Sequence, residues 1–244
     1  MPTKRTLGEA RDKHFLADAW KKMGLLKARW QDFSGAADCY HQALVLARES
    51  GDAHMAAQII CNQGLLYQSQ GQEPTVYLPL FYESLDTFEK LDDQRSVGTL
   101  LLHIGRACLQ LQHLAEARQI LEESLPINCH LDDDYQAGVT VYLLGQVAGQ
   151  MGNYPAAMNH YQDALEILGD TDAPVLVQRI YHDMAACLDL APDTCRISAR
   201  LKMRLRYLSP TAVESNDADV NLAFVREGRV LYQTGKGDGE EGSR

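Results

Sequence analysis

Four glycines keep step along the chain. Gly24, Gly64, Gly105 and Gly145 lie 40, 41 and 40 residues apart, within "KKMGLLKARW", "CNQGLLYQSQG", "LHIGRACLQL" and "YLLGQVAGQMG". Each of these runs has helical periodicity, and a glycine inside a helix costs about 1 kcal/mol relative to alanine. Four in phase therefore imply a shared reason. Without a Cβ, one helix admits another at shorter range. Self-similarity at a fixed period thus fixes the architecture before any single motif does.

The surrounding residues keep the same register. Four positions before each glycine stand Trp20, Ile60, Leu101 and Val141; three after come Lys27, Tyr67, Cys108 and Ala148. At twelve, sixteen and nineteen after, the chain repeats a small–large–small triplet: Ala36/Tyr40/Ala43, Ala117/Leu121/Ser124 and Ala157/Tyr161/Ala164. The second unit needs one inserted residue, giving Tyr77/Phe81/Ser84. The triplet reads as a second helix whose large side chain fills the hole left by the small ones. Each unit closes on an acid, Asp52, Asp93, Asp133 or Asp170. There a short carboxylate accepts from the free N–H groups of the next helix and suits the positive end of its dipole.

This register resembles the tetratricopeptide repeat (TPR) family, most closely in "AWKKMGLLKARWQDFSGAADCYHQAL" and "VYLLGQVAGQMGNYPAAMNHYQDAL". The family sets Trp, Leu, Gly and Tyr on a first helix, and small, aromatic and small residues on a second. Units of about forty residues, longer than the family's usual thirty-four, resemble those of G-protein-signalling modulator adaptors and kinesin light chains. The resemblance implies an all-α solenoid of helical hairpins wound into a right-handed superhelix. It divides the chain into an N-terminal extension (1–14), an array (15–208) and a C-terminal tail (209–244). The array's units are 15–52, 53–93, 94–133 and 134–170, followed by a degraded unit or cap over 171–208.

In such a stack the first helices line a concave face. Helical offsets from the glycine that avoid the packing positions place a candidate peptide-binding set on that face. The set is Lys21, Lys22, Leu25, Asn62, Leu65, His103, Arg106, Tyr142, Gln146, Arg179 and His182. Amides of this kind grip a peptide backbone, cations meet its carboxylates, and Leu and Tyr receive apolar side chains. The implied ligand is an acidic, partly apolar segment of another protein. Chaperone-binding members of the family clamp a C-terminal carboxylate through five positions. Here Lys21 and Asn62 match, but Leu25, Thr99 and His103 fill the other three, so that clamp is not expected.

Composition removes other classes. A net charge of −10 disfavours nucleic acid, and 45% hydrophobic residues suffice for a core. No run reads as a membrane span or signal peptide, and six scattered cysteines read as reduced, so a cytoplasmic protein is expected. The eight histidines lack metal spacing, and "GKGDG" lacks the spacing of a phosphate-binding loop. The expectation is no metal, no cofactor and no enzyme. The chain reads as a non-catalytic adaptor or scaffold, the alternative being a self-assembling or end-stacking subunit of a larger complex. Residues 192–208 read as a capping helix with a basic outer side, and "NLAFVREGRVLYQ" as a small hairpin or linear motif. The last ten residues read as disordered.

Overall fold

The computed structural model describes residues 4–169, 171, 173–190, 224–226 and 229–231. Among them, nine helices follow one another: α1 (Lys4–Arg29), α2 (Phe33–Ser50), α3 (Ala53–Ser69), α4 (Pro74–Lys90), α5 (Gln94–Gln110), α6 (Leu114–His130), α7 (Asp134–Gln150), α8 (Tyr154–Ile167) and α9 (Pro174–Leu190). Strands β1 (Phe224–Arg226) and β2 (Arg229–Leu231) pair antiparallel. Each helix packs mainly on its neighbours in sequence, as a solenoid requires. α1 begins at Lys4 and so takes up most of the stretch 1–14. The expected helix over 192–208 and the cap at Asp170 lie outside the described residues.

The phased glycines do what their spacing predicts. A Cβ at Gly24 would stand 2.6 Å from the Tyr40 ring, and one at Gly64 2.5 Å from Phe81. At Gly105 it would meet Leu121 at 2.7 Å, and at Gly145 the Tyr161 ring at 2.5 Å. Each partner is the large member of its triplet. Tyr40, Phe81 and Leu121 are wholly buried and Tyr161 nearly so, each contributing about 1.5–3 kcal/mol by burial. Where the third triplet residue is Ser, its hydroxyl donates back to the first helix. Ser84 bonds the Ala57 carbonyl at 3.1 Å, and Ser124 the Gly98 carbonyl at 2.9 Å.

Asp52, Asp93 and Asp133 join the units. Each caps the next unit's first helix, accepting from the N–H of Met55, Ser96 or Gln136 through one oxygen. The other oxygen of each reaches back to the preceding unit. It pairs with His14 at 2.6 Å, His54 at 3.0 Å and Arg95 at 3.6 Å respectively. These three basic residues share one register position, ten residues before the phased glycine of their unit. Burial opposes the charge on Asp93, but the Ser96 hydroxyl, His54 and the Ser96 N–H outweigh it and hold its pKa below the ordinary carboxylate value.

Replacing Gly105 by Ala separates intrinsic helix preference from packing. Propensity alone favours alanine by about 1 kcal/mol. The Leu121 contact reverses the sign, and a net loss of about 1–3 kcal/mol is expected in urea unfolding. A stabilised variant would contradict the proposed close approach.

Candidate protein-interaction groove

The first helices of units two to five, with the start of α4, enclose a groove of about 510 Å³. Glutamines 68, 72, 110, 112, 146 and 150 give it an amide lining. Arg106 and Arg179 supply positive charge, Glu73 a single carboxylate, and Leu109, Leu143, Leu176 and Pro74 apolar surface. Each element places its residue through the stacking described above, so the spacing between units sets the spacing between these groups.

Two tyrosines are pinned within it. The Tyr77 hydroxyl donates to Gln110 Oε1 at 2.8 Å. The Tyr142 hydroxyl donates to Asp183 Oδ2 at 2.9 Å and accepts from Gln146 Nε2 at 2.7 Å; that nitrogen also donates to Asp183 at 3.0 Å. Burial, then the Asp183 carboxylate, raises the Tyr142 pKa, so it stays a neutral donor. This network ties α7 to α9 and leaves Asp183 charge-compensated by hydrogen bonds.

The expected binding residues divide. Arg106, Gln146 and Arg179 line the groove half-buried, and Tyr142 lines it while largely covered. Lys21 and Lys22 line a second hollow, of about 670 Å³, with His14, Phe15, His54 and Asp93. There Lys22 bonds Asp18 at 2.6 Å, while Lys21 pairs with Asp18 at 3.3 Å and Gln58 Oε1 at 2.8 Å. Burial opposes the Asp18 charge, but these lysines outweigh it and lower its pKa. Buried and doubly engaged, Lys21 has no surface with which to clamp a carboxylate.

Leu25, Asn62, Leu65 and His103 line neither hollow and are buried. His182 is exposed beside Asp183 at 3.4 Å, outside both. Asn62 is fully buried, and neither its amide nitrogen nor its oxygen has a hydrogen-bond partner among the described residues. Sequence offsets missed Tyr77, Glu73, Pro74 and Leu176. The triplet register marks Tyr77 as packing alone, while the single inserted residue of unit two signals that its second helix starts differently. Tyr77 both fills the core and reaches the groove through its hydroxyl.

The comparisons with known proteins agree with this geometry. A family model described as "Tetratricopeptide repeat" matches residues 140–167, the span of α7 and α8. That span matches one tetratricopeptide repeat. Among solved structures, BtubC from P. vanneervenii is similar at a TM-score of 0.69 and 18% identity, covering 87% of this chain and 93% of that one. A Rap protein in complex with Competence and Sporulation Factor matches at 0.62 and 16%, over 78% of this chain and 52% of its own. Nearly identical TPR-like repeats from Podosopora anserina match at 0.60 and 12%, over 85% and 99%. No curated protein matches the chain in sequence. No helix among the described residues is long and apolar enough to cross a membrane.

His103 gives the array a pH signature. Burial, aided by the nearby Arg106 charge, pulls its pKa from 6.5 to about 3. The unfolded chain therefore binds a proton that the folded one refuses between these values, and stability falls as pH drops below about 6.5. Between pH 7 and pH 5 the loss from this site is about 2 kcal/mol. Urea unfolding of His103→Gln at both pH values is expected to show that much less acid sensitivity. An unchanged difference would contradict the assignment.

Proposed function

We propose that this TPR protein is a non-catalytic adaptor that binds a peptide segment of another protein in the groove between units two and five. The observation that carries the reading is the groove's lining. The exposed amides of Gln72, Gln112 and Gln150, each with both donor and acceptor, border a space shared with two guanidinium groups and one carboxylate. Such a surface recognises an extended or helical backbone carrying acidic side chains. The guanidinium groups form charge-assisted bonds to carboxylates, and Leu143 and Leu176 receive apolar residues. The Rap structure held in complex with Competence and Sporulation Factor supports the use of this architecture for holding a ligand.

A displayed library of random peptides tests the proposal. Selection on the full chain is expected to enrich sequences with two or more Asp or Glu beside an apolar residue. Arg106→Glu and Arg179→Glu together are expected to weaken the selected peptides by about a hundredfold, roughly two tenfold steps in affinity. Binding should also fall with added salt. Neutral consensus peptides whose binding ignores both substitutions would overturn it.

A further inference from the structure

α1 leaves exposed a face that units three and four bury completely. Leu16, Ala19, Met23, Leu26 and Trp30 recur at alternating spacings of three and four, one continuous seam along the helix. All five are exposed, Trp30 by 75%. The first four stand eight, five and one residue before Gly24 and two after it. In unit three the same positions are Val97, Leu100, Ile104 and Ala107; in unit four they are Ala137, Thr140, Leu144 and Val147. All eight are buried. In unit two, Ile59 and Leu66 at this register join Ala43 and Ala47 of α2 in one core cluster. Asn128 of α6 likewise reaches Thr140 of α7 at 3.4 Å. This register is therefore the socket into which each unit takes the second helix of the unit before it.

We infer that a second copy of this chain fills the socket on α1, the two α1 helices packing antiparallel about a two-fold axis. Self-complementarity selects that occupant. In an antiparallel pair the two seam positions of the heptad face one another. With the axis near Lys21, Leu16 faces Leu26 of the other copy and small Ala19 faces Met23, whose flexible side chain fills the space. Asp12 then faces Trp30, and the indole N–H, a donor with no acceptor role, meets a carboxylate. The two-fold makes every pair twice.

A parallel pair would set Ala19 against Ala19 and Asp12 against Asp12, leaving a gap and a like-charge contact. The flanking lysines do not oppose the antiparallel arrangement. Lys13 pairs with Glu49 at 2.9 Å, Lys22 with Asp18 at 2.6 Å and Lys27 with Asp32 at 3.2 Å. The contact is isologous and closes on itself, so it yields dimers rather than filaments. It shares no residue with the groove at Arg106 and Arg179. One seam of five side chains is smaller than a standard interface, so the contact belongs with weak, concentration-dependent associations.

Sedimentation equilibrium of the full chain from about 1 to about 200 µM reads this dimer directly. A monomer–dimer equilibrium is expected, and Met23→Glu or Leu26→Glu should raise its Kd by at least about tenfold. Because both side chains are exposed, the thermal melt of each variant should match the parent, which separates lost association from lost folding. The register has its own test. With Cys129 and Cys195 changed to Ser, Ala19→Cys protein mixed with Met23→Cys protein should form a disulfide between the two. Neither should link to itself as readily. A monomer at every concentration, or a dimer indifferent to glutamate on the seam, overturns the inference. So does preferential self-linking at position 19, which marks a parallel pair.

Discussion

The contact between an inner-helix glycine and a bulky side chain of the following helix sets every other dimension of this molecule. At four places a hydrogen replaces a methyl, and a ring or a leucine lies where the methyl would be. Helix pairs brought that close expose little of their meshing faces, so Ala36, Ala117, Ala157 and their neighbours are buried completely. A hairpin so built still has two faces uncovered. One is hidden by the next hairpin, and the repetition makes an array instead of a globule.

The spacing between units is fixed by a different chemistry. At three junctions a single carboxylate does two things, capping a helix and holding a basic residue from the unit before. The distances this imposes carry through to the concave side, where the Asp133 junction sets the step from Arg106 in unit three to Tyr142 and Gln146 in unit four. The groove is thus a consequence of packing elsewhere. Polar groups beneath it, such as the unpartnered Asn62 amide and the neutral His103 ring, oppose stability by about 1–3 kcal/mol each when unsatisfied. That opposition is tolerable only because the glycine contacts on either side over-determine the backbone.

Much of this was legible in the sequence, for reasons that divide cleanly. The helical pairs and their junctions follow from periodicity and from Asp52, Asp93 and Asp133, since capping is a local interaction between residues three apart. Groove membership is not local. A helical wheel gives the direction of Asn62, Leu65 and His103, but not how far the neighbouring unit overrides them, and all three are covered. Lys21 is engaged by Asp18 of its own helix and by Gln58 of the next unit, and the second of these pairings no single-helix pattern reveals. Tyr77 was read as core from its triplet position, which it is, while its hydroxyl escaped notice at the groove edge. The seam on α1 is plain apolar periodicity; only the structure shows that nothing among the described residues lies on it.

The central claim is that the inner helices, held apart at a fixed pitch, present a receptive surface for another polypeptide. Hydrogen exchange on the full chain, with and without an acidic peptide selected for binding, addresses it most directly. Slower exchange concentrated in α5, α7 and α9, with α6 and α8 unchanged, is the predicted outcome. Protection confined to α6 and α8 would place the ligand on the outside of the array and contradict the account.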